Sequence, residues 1–244
     1  MTEYAVYLQP AFILQQRKYR ETSLIIDALT RDFGRISVLA KGVRKPKSKT
    51  AGLLQAFIPL SLSYVGQAEL KTLTDVEASQ SFIEIKGLAL YCGFYINELV
   101  ACFLHKYDPH PEVFGYYHDC LAGLADGAQL EAALRIFELK LMESAGYGLQ
   151  LDYDQHQKPI EALKKYQYHV GSGPVEDLDG PFSGKTLLAL SSRALTDPQV
   201  ISEAKRLMRT VIDVYLQGKP LKSRAVIHEI IKHTGSERGL PARL

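Results

Sequence analysis

Cysteine is scarce: the 244-residue chain has three, Cys92, Cys102 and Cys120, an odd number confined to one third of the sequence. That count and placement argue against a disulfide framework and make buried thiols the expectation. A membrane-spanning run is lacking too. The most apolar window, Gly87 to Leu104, contains Gly93, Asn97 and Glu98, which are costly in lipid and ordinary in a buried bundle helix. The first residues, Met1-Thr2-Glu3-Tyr4, show no basic segment followed by an apolar stretch and cleavage site, so a cytoplasmic location is expected. Internal repeats and low-complexity tracts are missing. With 46% hydrophobic and 23% charged residues, the composition is that of a soluble globular protein, and the length allows one large domain or two to three small ones.

Charge of one sign is also lacking overall, since 29 Lys and Arg against 27 Asp and Glu leave +2. The total conceals a strong polarity. Residues 1–50 carry 10 basic and 4 acidic side chains, residues 51–150 carry 5 and 12, residues 151–200 carry 5 and 7, and residues 201–244 carry 9 and 4. Both ends are basic around an acidic middle. Such segments attract polyanions even in a nearly neutral chain.

Short β-branched or apolar runs at 11–15, 23–29 and 36–40 read as strands, and 57–65 with 70–76 reads as a second hairpin around Gly66-Gln67. Gly34 falls late in a hairpin-length loop, where a positive φ is often required. Five strands in about eighty residues predict a small barrel or sandwich. The third and fourth strands are separated by a basic loop holding Lys41, Arg44, Lys45, Lys47 and Lys49. From Phe82 onward the period becomes helical, with helices expected over 88–105, 112–124 and 129–145 and Gly146 capping the third. Residues 149–182, rich in Gly, Pro and Asp, read as an irregular stretch. Helices follow over 184–190, capped by Ser183, over 198–216 and over 221–233. The expected class is α+β and multi-domain: an N-terminal barrel over 1–80, a helical bundle over 81–148, and a C-terminal region over 149–244 that combines the loop-rich segment with further helices.

Enzyme signatures are weak. Gly184-Lys185-Thr186 ends like a P-loop, yet Gly180 and Gly184 enclose three residues where a phosphate cradle needs four. Cys102, His105, His118 and Cys120 could be drawn as a metal site, but His118 and Cys120 would point to opposite sides of a helix. Asp75, Glu77, Glu84 and Lys86 faintly resemble the carboxylate and lysine set of a metal-dependent nuclease. His110, His156, His169, His228 and His233 have no ligand spacing. No nucleophile elbow or Cys–His pair is legible. No metal or cofactor is expected.

The basic clusters are the strongest signal. Arg17, Lys18, Arg20, Arg31, Arg35, Lys41, Arg44, Lys45, Lys47 and Lys49 fall at strand ends and loops, with Tyr19, Phe33 and Phe57 nearby. A cationic groove with aromatic platforms suits single-stranded nucleic acid, because phosphates supply affinity and any base can stack. Phe57 in particular could equally fill the core.

Tyr19-Arg20-Glu21-Thr22-Ser23-Leu24, Phe33 to Gly42 and Leu54-Gln55-Ala56-Phe57 resemble the N-terminal signature of the bacterial RecO recombination mediators. Tyr95-Ile96-Asn97-Glu98-Leu99, Arg135-Ile136-Phe137-Glu138-Leu139, Gly146-Tyr147-Gly148 and Gly218 to Arg224 extend the resemblance over nearly the whole chain. It implies an OB-fold, a central helical domain and a C-terminal part packed on it. It further implies binding of single- and double-stranded DNA, strand annealing and, with RecR, help for RecA in replacing the single-strand DNA-binding protein, SSB. Arg135 matches the position expected to hold a carboxylate of the acidic SSB tail, with pairing to Glu131 or Glu138 as the alternative. Lys205, Arg206, Arg209, Lys222 and Arg224 would add phosphate contacts. Some members carry a four-cysteine zinc site after the Gly-Tyr-Gly stretch; residues 149–168 here hold no cysteine, so a zinc-free chain acting in the cytoplasm at the nucleoid is expected. The competing readings are the metal-dependent nuclease and a protein adaptor whose basic ends meet acidic partners.

Overall fold

The computed structural model describes residues 4–79 and 83–237, with side chains as far as residue 232. The expected change of period at Phe82, the boundary at 80/81 and the His233 side chain lie outside the described residues. Five strands, β1 (Ala5–Tyr19), β2 (Ser23–Thr30), β3 (Gly34–Ala40), β4 (Leu60–Val65) and β5 (Leu70–Ala78), close a barrel in the order β1-β2-β3-β5-β4. The β3–β5 pair is parallel and the others antiparallel. This is the five-stranded OB-like barrel. One strand serves two neighbours: β1 pairs with β4 through its first half and with β2 through its second, with register shifts between Val6 and Gln9 and between Ile13 and Gln15. Ile26, Ala28, Ile36, Val38, Leu62 and Tyr64 fill the barrel.

Six helices follow: α1 (Leu88–Phe103), α2 (Pro111–Asp126), α3 (Leu130–Ser144), α4 (Gly184–Ser191), α5 (Pro198–Tyr215) and α6 (Lys222–Glu237). The apolar window at 87–104 forms α1, a core helix, and no helix of the described residues is long and apolar enough to cross a membrane. Leu134, Phe137, Leu141 and Met142 give α3 its buried face, and Ala204, Leu207, Met208 and Val211 do the same for α5. Gly146, at φ 84, ends α3 in the left-handed conformation while Tyr147 N–H reaches the Met142 carbonyl at 2.8 Å. The segment expected to be irregular contains a three-stranded sheet, β6 (Lys165–His169), β7 (Gly173–Glu176) and β8 (Phe182–Ser183), in the order β7-β6-β8. Its strands are two to five residues long, too short for alternation to register, and Tyr166 and Tyr168 supply its buried face.

Ser183 caps α4 as expected, its Oγ accepting from Thr186 N–H at 3.3 Å. The Glu203 carboxylate accepts from Ser183 N–H at 2.8 Å and from the hydroxyls of Ser183 and Thr186 at 2.8 and 2.7 Å. Burial pushes the pKa of Glu203 up, and these hydrogen bonds outweigh it, leaving the group below its ordinary value. The end of α4 that resembled a phosphate cradle is thus filled by a carboxylate of the chain itself.

Barrel and helices share a core. Phe12, Leu14, Leu29 and Phe57 pack with α1, α2 and α3 rather than with the barrel interior, and the Phe12 ring lies 4.9 Å from that of Tyr117. Phe57 is therefore a core residue, as its buried side chain and its approach to Gly93 show: a Cβ at Gly93 would stand 2.8 Å from the Phe57 ring. Polar bonds fix the joint. Asn97 donates from Nδ2 to the Leu14 carbonyl at 2.9 Å and accepts at Oδ1 from the Tyr117 hydroxyl at 2.6 Å, all buried. Asn97→Ala should leave an acceptor and a donor unpaired in the core and cost about 3 kcal/mol, read as a fall in the urea midpoint at unchanged m-value.

Candidate nucleic-acid interface and partner groove

Strand register sorts the expected cations into two ends of the barrel. Lys18 pairs across to Leu24 and Leu24 to Ala40, so the end of β1, the start of β2 and the end of β3 lie side by side. Arg17, Lys18 and Arg20 at the β1–β2 turn thus adjoin Lys41, Arg44 and Lys45 in the loop after β3. The two segments are joined directly: Arg44 N–H donates to the Thr22 carbonyl at 2.8 Å, and Arg44 Nη1 donates to the Arg20 carbonyl at 3.2 Å. These six cations, with Lys47 and Lys49 further along the loop, are exposed, and Tyr19 is half-buried beside them with the Arg20 guanidinium 5.3 Å from its ring.

Arg31 and Arg35 stand at the other end, next to the pair Thr30 and Gly34. Arg31 is exposed and ion-paired with Asp32 at 3.0 Å. Arg35 is a correction: its Nη1 donates to the carbonyls of Ala101 and Leu104 at 2.6 and 2.7 Å, which spends it on the C-terminus of α1 instead of on a ligand. Gly34, at φ 64, lets the hairpin press on the α1–α2 connection, where a Cβ would meet the Asp108 carbonyl oxygen at 2.0 Å. Phe33 is half-buried with its ring edge on Tyr64.

The C-terminal cations are more heavily engaged. Lys205 pairs with Glu131 at 2.9 Å, Arg206 donates to the Pro181 carbonyl at 2.8 Å, and Arg224, half-buried, holds Asp213 and faces the Tyr95 hydroxyl at 3.4 Å. Arg209 and Lys222 remain exposed, Arg209 with Asp213 3.8 Å away. Arg135 is the second correction. Its side chain is 6% exposed and its Nη2 pairs with Glu138 Oε1 at 2.7 Å, so an incoming carboxylate would have to displace a buried partner. Burial lifts Glu138 above the ordinary carboxylate range despite that neighbour, and the Tyr95 hydroxyl donates to the same oxygen at 2.6 Å. Burial also pushes the Cys92 thiol up to about 11, so it is an unreactive core group. Asp75 and Glu77 lie exposed on β5, Glu84 pairs with Lys86 at 2.8 Å, and among the described residues no three His, Cys, Asp or Glu side chains converge as a metal site.

Comparison with known proteins decides the family. The family described as Recombination protein O N terminal matches residues 1–82, and Recombination protein O C terminal matches residues 86–225. The DNA repair protein RecO of Methylococcus capsulatus is 45% identical over 222 residues, 90% of this chain and 92% of that one. The RecO proteins of Nitrosococcus oceani and Dechloromonas aromatica are 42% and 41% identical, covering 92% and 91% of this chain and 94% and 95% of theirs. The chain belongs to the RecO family of DNA repair proteins.

In this RecO chain the stretches that carried the resemblance touch one another. Glu98 on α1 accepts from Lys222 and Ser223 N–H at 2.9 Å each and from the Ser223 hydroxyl at 2.6 Å, capping α6 from another element. Tyr95, one turn earlier, meets Glu138 and Arg224. The sequence showed these residues only as separate motifs. Away from Arg135, α2 and α3 leave a groove of about 330 Å³ whose lining includes the apolar Tyr116, Ile136 and Phe137, the ammonium of Lys140 and the carboxylates of Asp119 and Asp126. Lys140 lies 4.2 Å from the Tyr116 ring and is the basic side chain on its wall. Arg135→Ala should cost about 3–5 kcal/mol by stranding buried Glu138, while Lys18→Ala should shift stability by less than about 0.5 kcal/mol, both measured by denaturant titration.

Proposed function

We propose that this RecO-family chain is a non-enzymatic recombination mediator that binds single- and double-stranded DNA, anneals complementary strands and, with RecR, helps RecA load onto DNA covered by SSB. The observation that carries the reading is the exposed cluster of Arg17, Lys18, Arg20, Lys41, Arg44 and Lys45, drawn from two segments and held together at one end of an OB-like barrel. None of the six is in an ion pair among the described residues, so their charge is available to phosphates. Arg209 and Lys222 supplement them, and Lys47 and Lys49 lengthen the loop's reach. Neutralising about five phosphates of a single strand should give a slope of log K against log salt near −3.5, at about −0.7 per phosphate. Fluorescence anisotropy of a labelled oligonucleotide checks this, and the double substitution Lys18→Glu, Lys45→Glu should flatten the slope and lower affinity at least tenfold. A response already flat in the unaltered protein overturns DNA binding. Magnesium-dependent strand cleavage lost in Glu84→Gln would overturn the non-enzymatic reading.

The SSB tail is assigned to the groove between α2 and α3. A peptide with apolar terminal side chains finds there an apolar floor and one cation, Lys140, for its terminal carboxylate, the role first expected of Arg135, while Asp119 and Asp126 on the same lining oppose any further acidic side chain. Lys140→Glu should weaken a fluorescent tail peptide at least tenfold and leave oligonucleotide affinity unchanged; equal peptide affinity would remove the groove from the reading.

A further inference from the structure

We propose a second nucleotide-binding site at the β4–β5 turn, where the Tyr107 ring stacks a base of single-stranded DNA and Lys71 takes an adjoining phosphate. The proposal deepens the DNA-binding reading and rests on it. The site is assembled from two distant segments. The connection between α1 and α2 lies along β3, where Lys106 bridges to Arg35 in parallel and Tyr107 N–H donates to the Arg35 carbonyl at 2.9 Å. Tyr107 takes φ 61, a left-handed conformation unfavourable for a residue with a large side chain, and it is held there on the barrel. Its hydroxyl donates to the main-chain carbonyl of Glu69 in the β4–β5 turn, while 39% of the residue stays open to solvent.

Around the ring stand the groups a nucleotide needs. Lys71 Nζ lies over the ring, 5.2 Å from its centroid, and donates to the Gln67 carbonyl at 3.2 Å, so on this reading it swings off the ring face as a base stacks and meets the adjoining phosphate. Lys106 pairs with the exposed Glu69 carboxylate at 3.0 Å. Gln67, Glu69, Lys71, Lys106 and Tyr107 enclose an open cavity of about 500 Å³. Tyr4, 48% exposed, is tied to the same turn through its carbonyl, which accepts from Gly66 N–H at 2.9 Å. An exposed aromatic ring flanked by ammonium groups is the arrangement that stacks bases without sequence preference.

Register connects this site to the basic cluster. Arg17 pairs with Ile25, Ile25 with Leu39 and Leu39 with Thr72, the neighbour of Lys71. Three strand spacings make about 14 Å across the sheet, and the four residues from Leu39 back to Arg35, beside Tyr107, add about 13 Å along the strand, so one oligonucleotide spanning about 20 Å would engage both places. Glu69 restrains the site as built, because its carboxylate both occupies Lys106 and repels phosphate.

The chain has no tryptophan, so Tyr107→Trp and Tyr19→Trp each install a single reporter, one per site. Titrating full-length protein with a thymidine oligonucleotide of about 20 residues, longer than one OB-fold's usual site size, should quench both. Tyr107→Leu should weaken binding about fivefold or more, with the melting temperature lowered by only the few degrees that loss of one hydrogen bond brings. Glu69→Gln leaves the carbonyl that holds the Tyr107 hydroxyl and frees Lys106, so it should tighten binding and steepen the salt slope by about 0.7. Quenching of Tyr19→Trp with none of Tyr107→Trp, or an unchanged slope in Glu69→Gln, would overturn the site while DNA binding stands. Failure of the unaltered protein to bind the oligonucleotide by anisotropy would overturn the DNA reading and this site with it.

Discussion

A helix buried among other elements can keep a polar side chain only where another element completes its hydrogen bonds, and α1 carries three such groups. Tyr95 reaches Glu138 of α3, Asn97 reaches the backbone of β1, and Glu98 caps α6. A fourth tie, of two hydrogen bonds, arrives from outside: the carbonyls of Ala101 and Leu104 at the end of α1 receive the Arg35 guanidinium of the barrel. No basic side chain stands in the last turn of α1 itself, so Arg35 also supplies the charge that suits a helix C-terminus. Barrel, bundle and C-terminal helix are therefore positioned by side chains within and around one sixteen-residue segment.

That constraint decides which end of the barrel remains free. The end bearing Gly34 and Arg35 is pressed on the α1–α2 connection, and Phe12, Leu14 and Leu29 are given to the helical core. The β1–β2 turn and the loop after β3 are left outside, and among the described residues their cations form no ion pair. Arg17 and Arg35 are chemically alike and lie on the same small sheet. Among the described residues one is exposed and in no ion pair and the other holds two carbonyls, so only the first is suited to a phosphate.

Much of this was legible. The five barrel strands, the six helices and Ser183 as a cap follow from periodicity and punctuation, because each element is long enough to show its repeat or is bounded by a strong signal such as Gly146 or Pro198. The barrel's basic end was legible because its residues are close in sequence. The second sheet was not, since strands of two to five residues built on Tyr166 and Tyr168 carry no readable alternation. The full length of β1 is not legible: Gln9 and Pro10 interrupt its apolar run, between the register shift after Val6 and the change of neighbour at Ala11. Arg35 and Arg135 were misplaced for one shared reason. Sequence shows a cation, whereas the carbonyls or carboxylate that engage it are set by tertiary packing, in Arg35's case 66 and 69 residues away.

The acidic middle of the chain, at first sight an obstacle to a nucleic-acid function, has a structural use. Glu131 pairs with Lys205, Glu143 with Arg193, Glu138 with Arg135, and Glu98 receives the N-terminus of α6. Three carboxylates of the bundle, Glu98, Glu131 and Glu143, are directed at the C-terminal region that docks against it. Segregation of charge along a sequence therefore has two possible causes, attraction between parts of the chain and attraction to a separate polyanion. They separate only once pairing is known. Among the described residues, Lys205 and Arg224 at the C-terminal end are drawn into the first, while the six exposed cations at the N-terminal end form no ion pair, even with Glu21 in the same turn, and their charge is left for the second.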